Sequence, residues 1–114
     1  MVKLNKAQLK EIFGWASRRK DRKGRSLLER ARESLMTGSY LKYNTTLEMA
    51  KDGAIEWDCD CPYVKKTGKP CKHVIANLIL IHEQELRKSE KWNRFFEEYY
   101  NAKIEEVLDA FSQF

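Results

Sequence analysis

All three cysteines of this chain, and one of its two histidines, fall within fifteen residues. They form two close pairs, a C-x-C at Cys59 and Cys61 and a C-x-H at Cys71 and His73. Zinc prefers four such thiolate and imidazole ligands in a tetrahedral arrangement. The nine residues between the pairs include a glycine and a proline, so a loop can return the second pair onto the first. The pattern therefore predicts one structural zinc.

The residues before the first pair predict an antiparallel β-hairpin. One face of the first expected strand holds Leu41, Tyr43, Thr45, Leu47 and Met49. These alternate with polar residues, which is typical of a strand with one buried face. The Asp-Gly pair at 52–53 predicts a turn, and a second strand is expected over residues 54–61. Side chains at i and i+2 of an extended chain share a face, so this strand presents Cys59 and Cys61 together.

The second ligand pair predicts the start of a helix. Positions i and i+2 of a helix do not face each other, so Cys71 is expected at or before the helix start and His73 in its first turn. Pro70 favours such an entry, because proline suits a helix N-terminus. The apolar residues 74–81 then predict a central helix, in contact with the sheet and with the flanking helices.

The ligands and their neighbours resemble the SWIM zinc finger family, whose signature is C-x-C, a variable loop and C-x-H. The similarity includes the segments WDCDCPY at 57–63 and PCKHVIA at 70–76, and it covers about residues 38–82. The resemblance implies a short hairpin followed by a helix, with one Zn²⁺ on the four ligands. It also implies binding to DNA or to other proteins, with which such fingers are associated.

Helices are predicted on both sides of the finger. Asn5 is a candidate N-cap for a first helix, and a second is expected from about Ser26 until Gly38 stops it. Apolar and aromatic side chains step by three and four from Trp92 to Phe114, as one helix or two. The predicted fold class is α+β, a small zinc-stabilised domain. The expected single domain, 1–114, comprises an N-terminal helical part (1–37), the finger (38–88) and a C-terminal amphipathic helix (89–114).

The basic residues are concentrated in the first part of the chain. Residues 1–82 carry 17 Lys and Arg against 9 Asp and Glu, whereas residues 83–114 carry 5 against 8. Two groups are candidates for nucleic-acid contact, because clustered cations suit phosphate. They are a block of Arg18, Arg19, Lys20, Arg22, Lys23 and Arg25, and a zinc-loop group of Lys65, Lys66 and Lys69. A solvated linker between two helices is the alternative interpretation of the block.

The apolar stripe of the C-terminal helix lies in the acidic segment 83–114, which is not expected to bind phosphate. Its apolar residues either complete the core or bind a partner protein or a second copy of the chain. Core packing is the expected arrangement, and the part from Ile104 onward is the better candidate for an interface.

The sequence favours binding over catalysis. A zinc with four protein ligands has no open position for water, and no glycine-rich phosphate loop follows a strand. The expected function is a nucleic-acid-binding protein that binds DNA in preference to RNA, or a DNA-associated adaptor. The alternative is a protein-interaction module beside a recombinase or in a transcription or transposition complex. No membrane partner and no small-molecule substrate are expected, and three ligand cysteines favour the reducing cytoplasm or nucleus.

Overall fold

A computed structural model describes residues 4–52 and 55–112. Within this part, the elements in chain order are α1 (Lys6–Arg18), α2 (Leu27–Thr37), a 3-10 turn (Ser39–Leu41), β1 (Thr45–Met49), β2 (Ile55–Cys59), α3 (Pro62–Thr67), α4 (Lys72–Ile81), α5 (Glu83–Leu86) and α6 (Glu90–Ser112). The predicted α+β class is confirmed. The chain divides into two compact units, Met1–Ile81 and His82–Phe114. No helix in the described residues is long and apolar enough to cross a membrane.

Both predicted N-terminal helices are present, with the expected cap at Asn5 and the expected end of the second helix at Gly38. The side chain of Asn5 accepts a hydrogen bond from the backbone N–H of Gln8, and the Gln8 side chain accepts one from the backbone N–H of Asn5. This capping box satisfies two N–H groups that the helix itself cannot pair. Helix α2 begins after Ser26, whose hydroxyl accepts a hydrogen bond from the backbone N–H of Glu29. The helix ends at Gly38, which has φ 78°. Glycine adopts this left-handed conformation without the steric cost that a Cβ would add.

The hairpin is shorter than the alternation predicts. Strands β1 and β2 pair antiparallel, with Thr45 opposite Cys59 and Met49 opposite Ile55. The predicted buried face is wrong at three positions: Leu41 and Tyr43 precede β1, and Tyr43 and Met49 are 37% and 46% exposed. Leu41 departs furthest from the prediction. It ends the 3-10 turn and is 73% exposed, because Gly38 turns the chain before strand pairing begins. Gly53 of the predicted turn and Ala54 of the predicted second strand lie outside the described residues.

Helix α4 is central within the first unit, as predicted. It contacts α2, the 3-10 turn and both strands. Most of its circumference is buried, at Val74, Ile75, Ala76, Leu78 and Ile79. The other large contributions to the buried core of this unit come from α1 and α2. These are Leu9, Phe13, Ala16, Leu27, Ala31 and Leu35.

The second unit consists of the short helix α5 and one continuous α6, which runs through Asn101 without a break. The guanidinium of Arg87 lies over the rings of Phe96 and Tyr100, at 5.3 and 5.7 Å from their centroids, and also pairs with Glu83. The first half of the aromatic stripe is buried, at Phe95, Phe96 and Tyr99.

The core packing expected of the whole stripe is not found in its second half. Ile104, Val107, Leu108 and Phe111 are 54–69% exposed. Phe114, the last residue of the predicted stripe, lies outside the described residues.

Candidate metal centre

The four predicted ligands converge at one end of the hairpin, where α3 and α4 begin. Cys59 is the last residue of β2, and Cys61 is the N-cap of α3. Cys71 directly precedes α4, and His73 is the second residue of that helix, as the C-x-H spacing predicts. All four are buried, with 1–5% of each residue exposed.

The four ligand atoms are close enough together to hold one zinc, and two of their separations match a tetrahedral site. All four candidate atoms lie within 4.8 Å of one another. The His73 Nδ1 atom is 3.7 Å from the Sγ of Cys59 and 3.5 Å from the Sγ of Cys71. A tetrahedron with bonds of about 2.3 Å to sulfur and about 2.0 Å to nitrogen separates S from N by about 3.5 Å. This agreement identifies a Cys3His site for one structural zinc.

The local structure of the C-x-C pair differs from the predicted one. Cys61 does not continue β2, since the strand ends at Cys59. The backbone of Cys61 is nevertheless extended, with φ −73° and ψ 156°, so the two thiols still point to one side. Asp60 between them bonds back to Asn44, with its backbone N–H donating to the Asn44 carbonyl and its carboxylate accepting from the Asn44 N–H. These bonds extend the pairing of the hairpin to the metal end.

Burial shifts the pKa of two ligands, Cys71 and His73. Burial raises the pKa of the Cys71 thiol to about 12 in the absence of metal, opposed by a hydrogen bond from the backbone N–H of Val74. Burial also lowers the pKa of His73, and the neighbouring Lys72 lowers it further. The neutral imidazole is the form that binds zinc, whereas the thiols must lose their protons to the solvent when the metal enters.

The neighbours of the ligands hold them in position. The hydroxyl of Thr45 donates a hydrogen bond of 3.4 Å to the Cys59 sulfur, across the last pair of the hairpin register. The ring of Tyr43 packs on the His73 imidazole, with centroids 5.0 Å apart. Such contacts fix the orientation of ligands in metal sites. The role of Tyr43 beside His73 was not predicted, because nothing in the sequence pairs residues thirty positions apart.

Helix α3, inside the zinc loop, was not predicted either. Pro62 occupies its first turn, and Gly68 ends it in the left-handed conformation with φ 66°. Proline at a helix start and glycine just past its end are a recognised signal, which the sequence does contain. The helix carries two of the predicted nucleic-acid contacts, Lys65 and Lys66, in its last turn, and Lys69 follows it. All three lysines are exposed.

The basic block forms the end of α1 and a tight loop before α2. Arg18 is the last residue of α1. The Asp21 carboxylate accepts hydrogen bonds from the backbone N–H groups of Lys23 and Arg25, and these bonds lower its pKa. Arg25 also forms ion pairs with Asp21 and Glu33. These contacts give the loop between α1 and α2 a defined conformation, with most of its cations exposed to solvent.

The side chains of the block differ in whether another described residue binds them. Lys20, Arg22 and Lys23 are exposed and form no ion pair with another described residue. Arg19, in contrast, donates a hydrogen bond of 2.6 Å from its Nε to the hydroxyl of Tyr63 in α3. Its guanidinium also lies 5.7 Å from the ring centroid of Trp15 and 5.8 Å from that of Tyr63. Arg19 thus links the basic loop, residues 18–25, to the zinc loop, residues 62–70.

The comparisons with known proteins agree with the metal site. Residues 43–80 match the family model of the SWIM zinc finger, and this segment contains all four ligands. The predicted SWIM-type finger is confirmed over residues 43–80, together with its single structural zinc. The chain gave no match among curated proteins and none among solved structures.

Proposed function

We propose that the protein binds nucleic acid, DNA in preference to RNA, and that it is not an enzyme. Its four protein ligands complete a tetrahedral shell, so the zinc has no open position at which to activate water. The preference for DNA rests on the resemblance of residues 43–80 to fingers associated with DNA or with other proteins. The expected location is the cytoplasm or the nucleus, where a reducing environment keeps cysteine ligands available.

The observation that carries this proposal is the hydrogen bond between Arg19 and Tyr63. It joins two basic groups whose linking residues are 44 positions apart in the sequence. The basic loop contributes Lys20, Arg22 and Lys23, and the zinc loop contributes Lys65, Lys66 and Lys69. Cations on adjoining elements can neutralise successive phosphates of one backbone. The zinc would then act indirectly, by holding α3 in place next to the basic loop.

A salt titration with labelled DNA and RNA tests this proposal. If about five phosphates are neutralised, log K for duplex DNA is expected to fall with log salt with a slope of about −4.5. Replacing Lys20, Arg22 and Lys23 by Glu should abolish binding, and the same change at Lys65, Lys66 and Lys69 should weaken it less.

A matched control separates a specific surface from total charge. Replacing three exposed lysines outside both groups, Lys10, Lys51 and Lys91, by Glu changes the net charge by the same amount. The proposal predicts a much smaller loss for this variant. Equal losses in the control variant and in the Lys20, Arg22 and Lys23 variant would contradict it, as would wild-type affinity in the latter.

A second candidate function is a protein-interaction module, and the exposed part of α6 favours it. Ile104, Val107, Leu108 and Phe111 follow the spacing of one helix face and are more than half exposed. Aromatic and aliphatic residues in such a stripe are common in protein interfaces. The stripe would bind a partner protein or a second copy of the chain.

Truncation after Asn101 tests the second candidate. An interface predicts that the fragment keeps its zinc and runs as a monomer in sedimentation, while the full-length protein runs larger or captures a partner. Full-length protein with Val107→Glu and Phe111→Glu should behave like the fragment. A monomeric full-length protein whose fragment loses its fold would instead assign the stripe to the core.

A further inference from the structure

A cleft of about 370 Å³ opens beside the metal site in the first unit. Its walls include three of the zinc ligands, Cys61, Cys71 and His73, together with residues of α2, the 3-10 turn and the first turn of α3. A volume of this size lies in the range of sites for small ligands. Because three zinc ligands line it, part of this volume belongs to the metal itself. A single strand can offer one base or phosphate to the remainder, whereas a stacked duplex presents no separate base that could enter.

The cleft is lined by cations and no carboxylate. Arg30, Lys42 and Lys72 are among its lining residues, and Asp and Glu are not. Neither lysine forms an ion pair with another described residue. The zinc with three thiolates contributes a charge of −1, so the surroundings of the cleft stay positive. These charges favour an anion.

Arg30 has unused hydrogen-bonding capacity. Its Nε atom is buried and has no hydrogen-bond partner among the described residues, while the Asp21 carboxylate lies 3.8 Å away. A buried N–H of a charged group normally has a partner, since leaving it unsatisfied costs about 1–3 kcal/mol or more. The Arg30 side chain is 20% exposed and lines the cleft, so an anion there can contact the accessible part of the guanidinium, although not the buried Nε itself.

Two aromatic rings complete the lining. Tyr43 and Tyr63 both border the cleft. Tyr43 is 37% exposed, and its ring is supported by the His73 imidazole at 5.0 Å. The Tyr63 hydroxyl is held by Arg19. Grooves that combine cations with aromatic rings are typical of proteins that bind single strands, whose unpaired bases stack on the rings.

We propose that this cleft binds one nucleotide of a single-stranded nucleic acid, with its phosphate on Arg30, Lys42 and Lys72 and its base against Tyr43 or Tyr63. The inference rests on the proposed nucleic-acid binding and specifies the form of the ligand. The zinc site supports the cleft from one side, because Tyr43 rests on a metal ligand. The basic loop would then bind the phosphates that lead into the cleft.

The test compares oligo(dT) of about 12 nucleotides with a duplex of the same length, using the zinc-loaded full chain and fluorescence anisotropy. The single strand is expected to bind at least about tenfold more tightly. Lys42→Glu should weaken single-strand binding about tenfold or more and make the salt slope about 0.7 less negative. Tyr43→Ala should weaken it about five- to 100-fold, whereas Tyr43→Phe should retain it.

Lys51→Glu is the matched control for Lys42→Glu, because Lys51 is exposed next to the far end of the hairpin from the metal. Metal analysis of each variant excludes loss of zinc as the cause. Equal effects of Lys42→Glu and Lys51→Glu on the single strand would overturn the inference. A duplex that binds as tightly as the single strand would also overturn it.

Two further outcomes are distinguishable. Thymidine monophosphate that binds as tightly as oligo(dT) would assign the cleft to free nucleotides and would overturn the strand assignment. Duplex binding that depends on Lys20, Arg22 and Lys23, without any effect of the cleft variants, would contradict this inference and leave the proposed function standing. Absence of binding to any nucleic acid would contradict both.

Discussion

Helix α4 and the β-hairpin meet at the metal site, but different interactions hold them in the fold. Five apolar side chains of α4 are buried, with exposed fractions of 0–1%. Among the described residues between Leu41 and Pro70, only Cys59 and Cys61 are buried. An isolated two-stranded hairpin is marginally stable in water. The hairpin and α3 therefore depend on metal bonds where α4 depends on apolar packing.

Removing zinc should show this difference most strongly. A structural zinc contributes on the order of 10 kcal/mol at neutral pH, more than the apolar burial of the hairpin can supply. Chelation, or Cys71→Ala, is expected to expose the amides of β1, β2 and α3 to hydrogen exchange and to lower the melting temperature of the first unit. Metal analysis should give one zinc per chain before chelation.

A control in the same hairpin sharpens the result. Met49 is 46% exposed, so Met49→Ala should change stability by no more than about 0.5 kcal/mol. If Cys71→Ala were as mild as Met49→Ala, the metal would not be what holds the hairpin.

Lowering the pH should reproduce zinc removal gradually. The Cys71 pKa of about 12 in the metal-free state means that its thiol is protonated at neutral pH and must release its proton to bind zinc. Each such proton makes the apparent zinc affinity fall about tenfold per pH unit, or about a thousandfold for three thiols. Chelator competition between pH 6 and 8 measures this slope, and a flat profile would contradict thiolate ligation.

The metal-free protein should respond to pH in the opposite direction. A folded-state pKa above the ordinary value of 9.0 means that the folded chain holds the proton more tightly than the unfolded chain. In the part of the metal-free fold that keeps Cys71 buried, this contribution to stability is therefore expected to be lost as the pH rises from about 9 toward 12. Denaturant titrations of the chelated protein in that range measure it.

A cavity in the helical core should leave the metal site intact. Leu35 in α2 is fully buried, and Leu35→Ala is expected to cost about 2–5 kcal/mol of global stability. Zinc stoichiometry should remain one per chain, because no ligand is touched. Selective loss of zinc from this variant would show that the two regions are not held by separate interactions.

The bond between Arg19 and Tyr63 should have the smallest effect on stability. A double-mutant cycle with Arg19→Lys and Tyr63→Phe removes the Nε–hydroxyl bond and keeps both charge and ring. A coupling of about 1 kcal/mol is expected, since the bond is part-buried and its donor is charged. A coupling near zero would mean that this bond does not help to hold α3 in place.

The sequence predicted those parts of the fold that depend on local spacing. The ligand set, the start of α4 and the caps at Asn5, Ser26 and Gly38 all follow from residues within a few positions of one another. Metal spacing and capping are short-range rules, so one sequence contains enough information for them.

The parts that could not be predicted depend on long-range contacts or on competing local signals. The alternation through Leu41 and Tyr43 matches a strand, but the turn after Gly38 takes the chain into a 3-10 turn first. Helix α3 was missed because its glycine was assigned to a loop, although Pro62 and Gly68 bracket a helix. The contact of Arg19 with Tyr63 has no signature in a single sequence.

The position of the last two ligands has a consequence for synthesis on the ribosome. Cys71 and His73 lie immediately before or within the first turn of α4, and the core residues of that helix follow within six positions. The N-terminal elements leave the ribosome first. When α1, α2 and the hairpin have emerged, the ligand set is still incomplete and the central helix is still missing. The residues that follow supply the last two ligands and the central helix. Complete metal ligation and closure of the helical core can thus begin only after this same short segment has emerged.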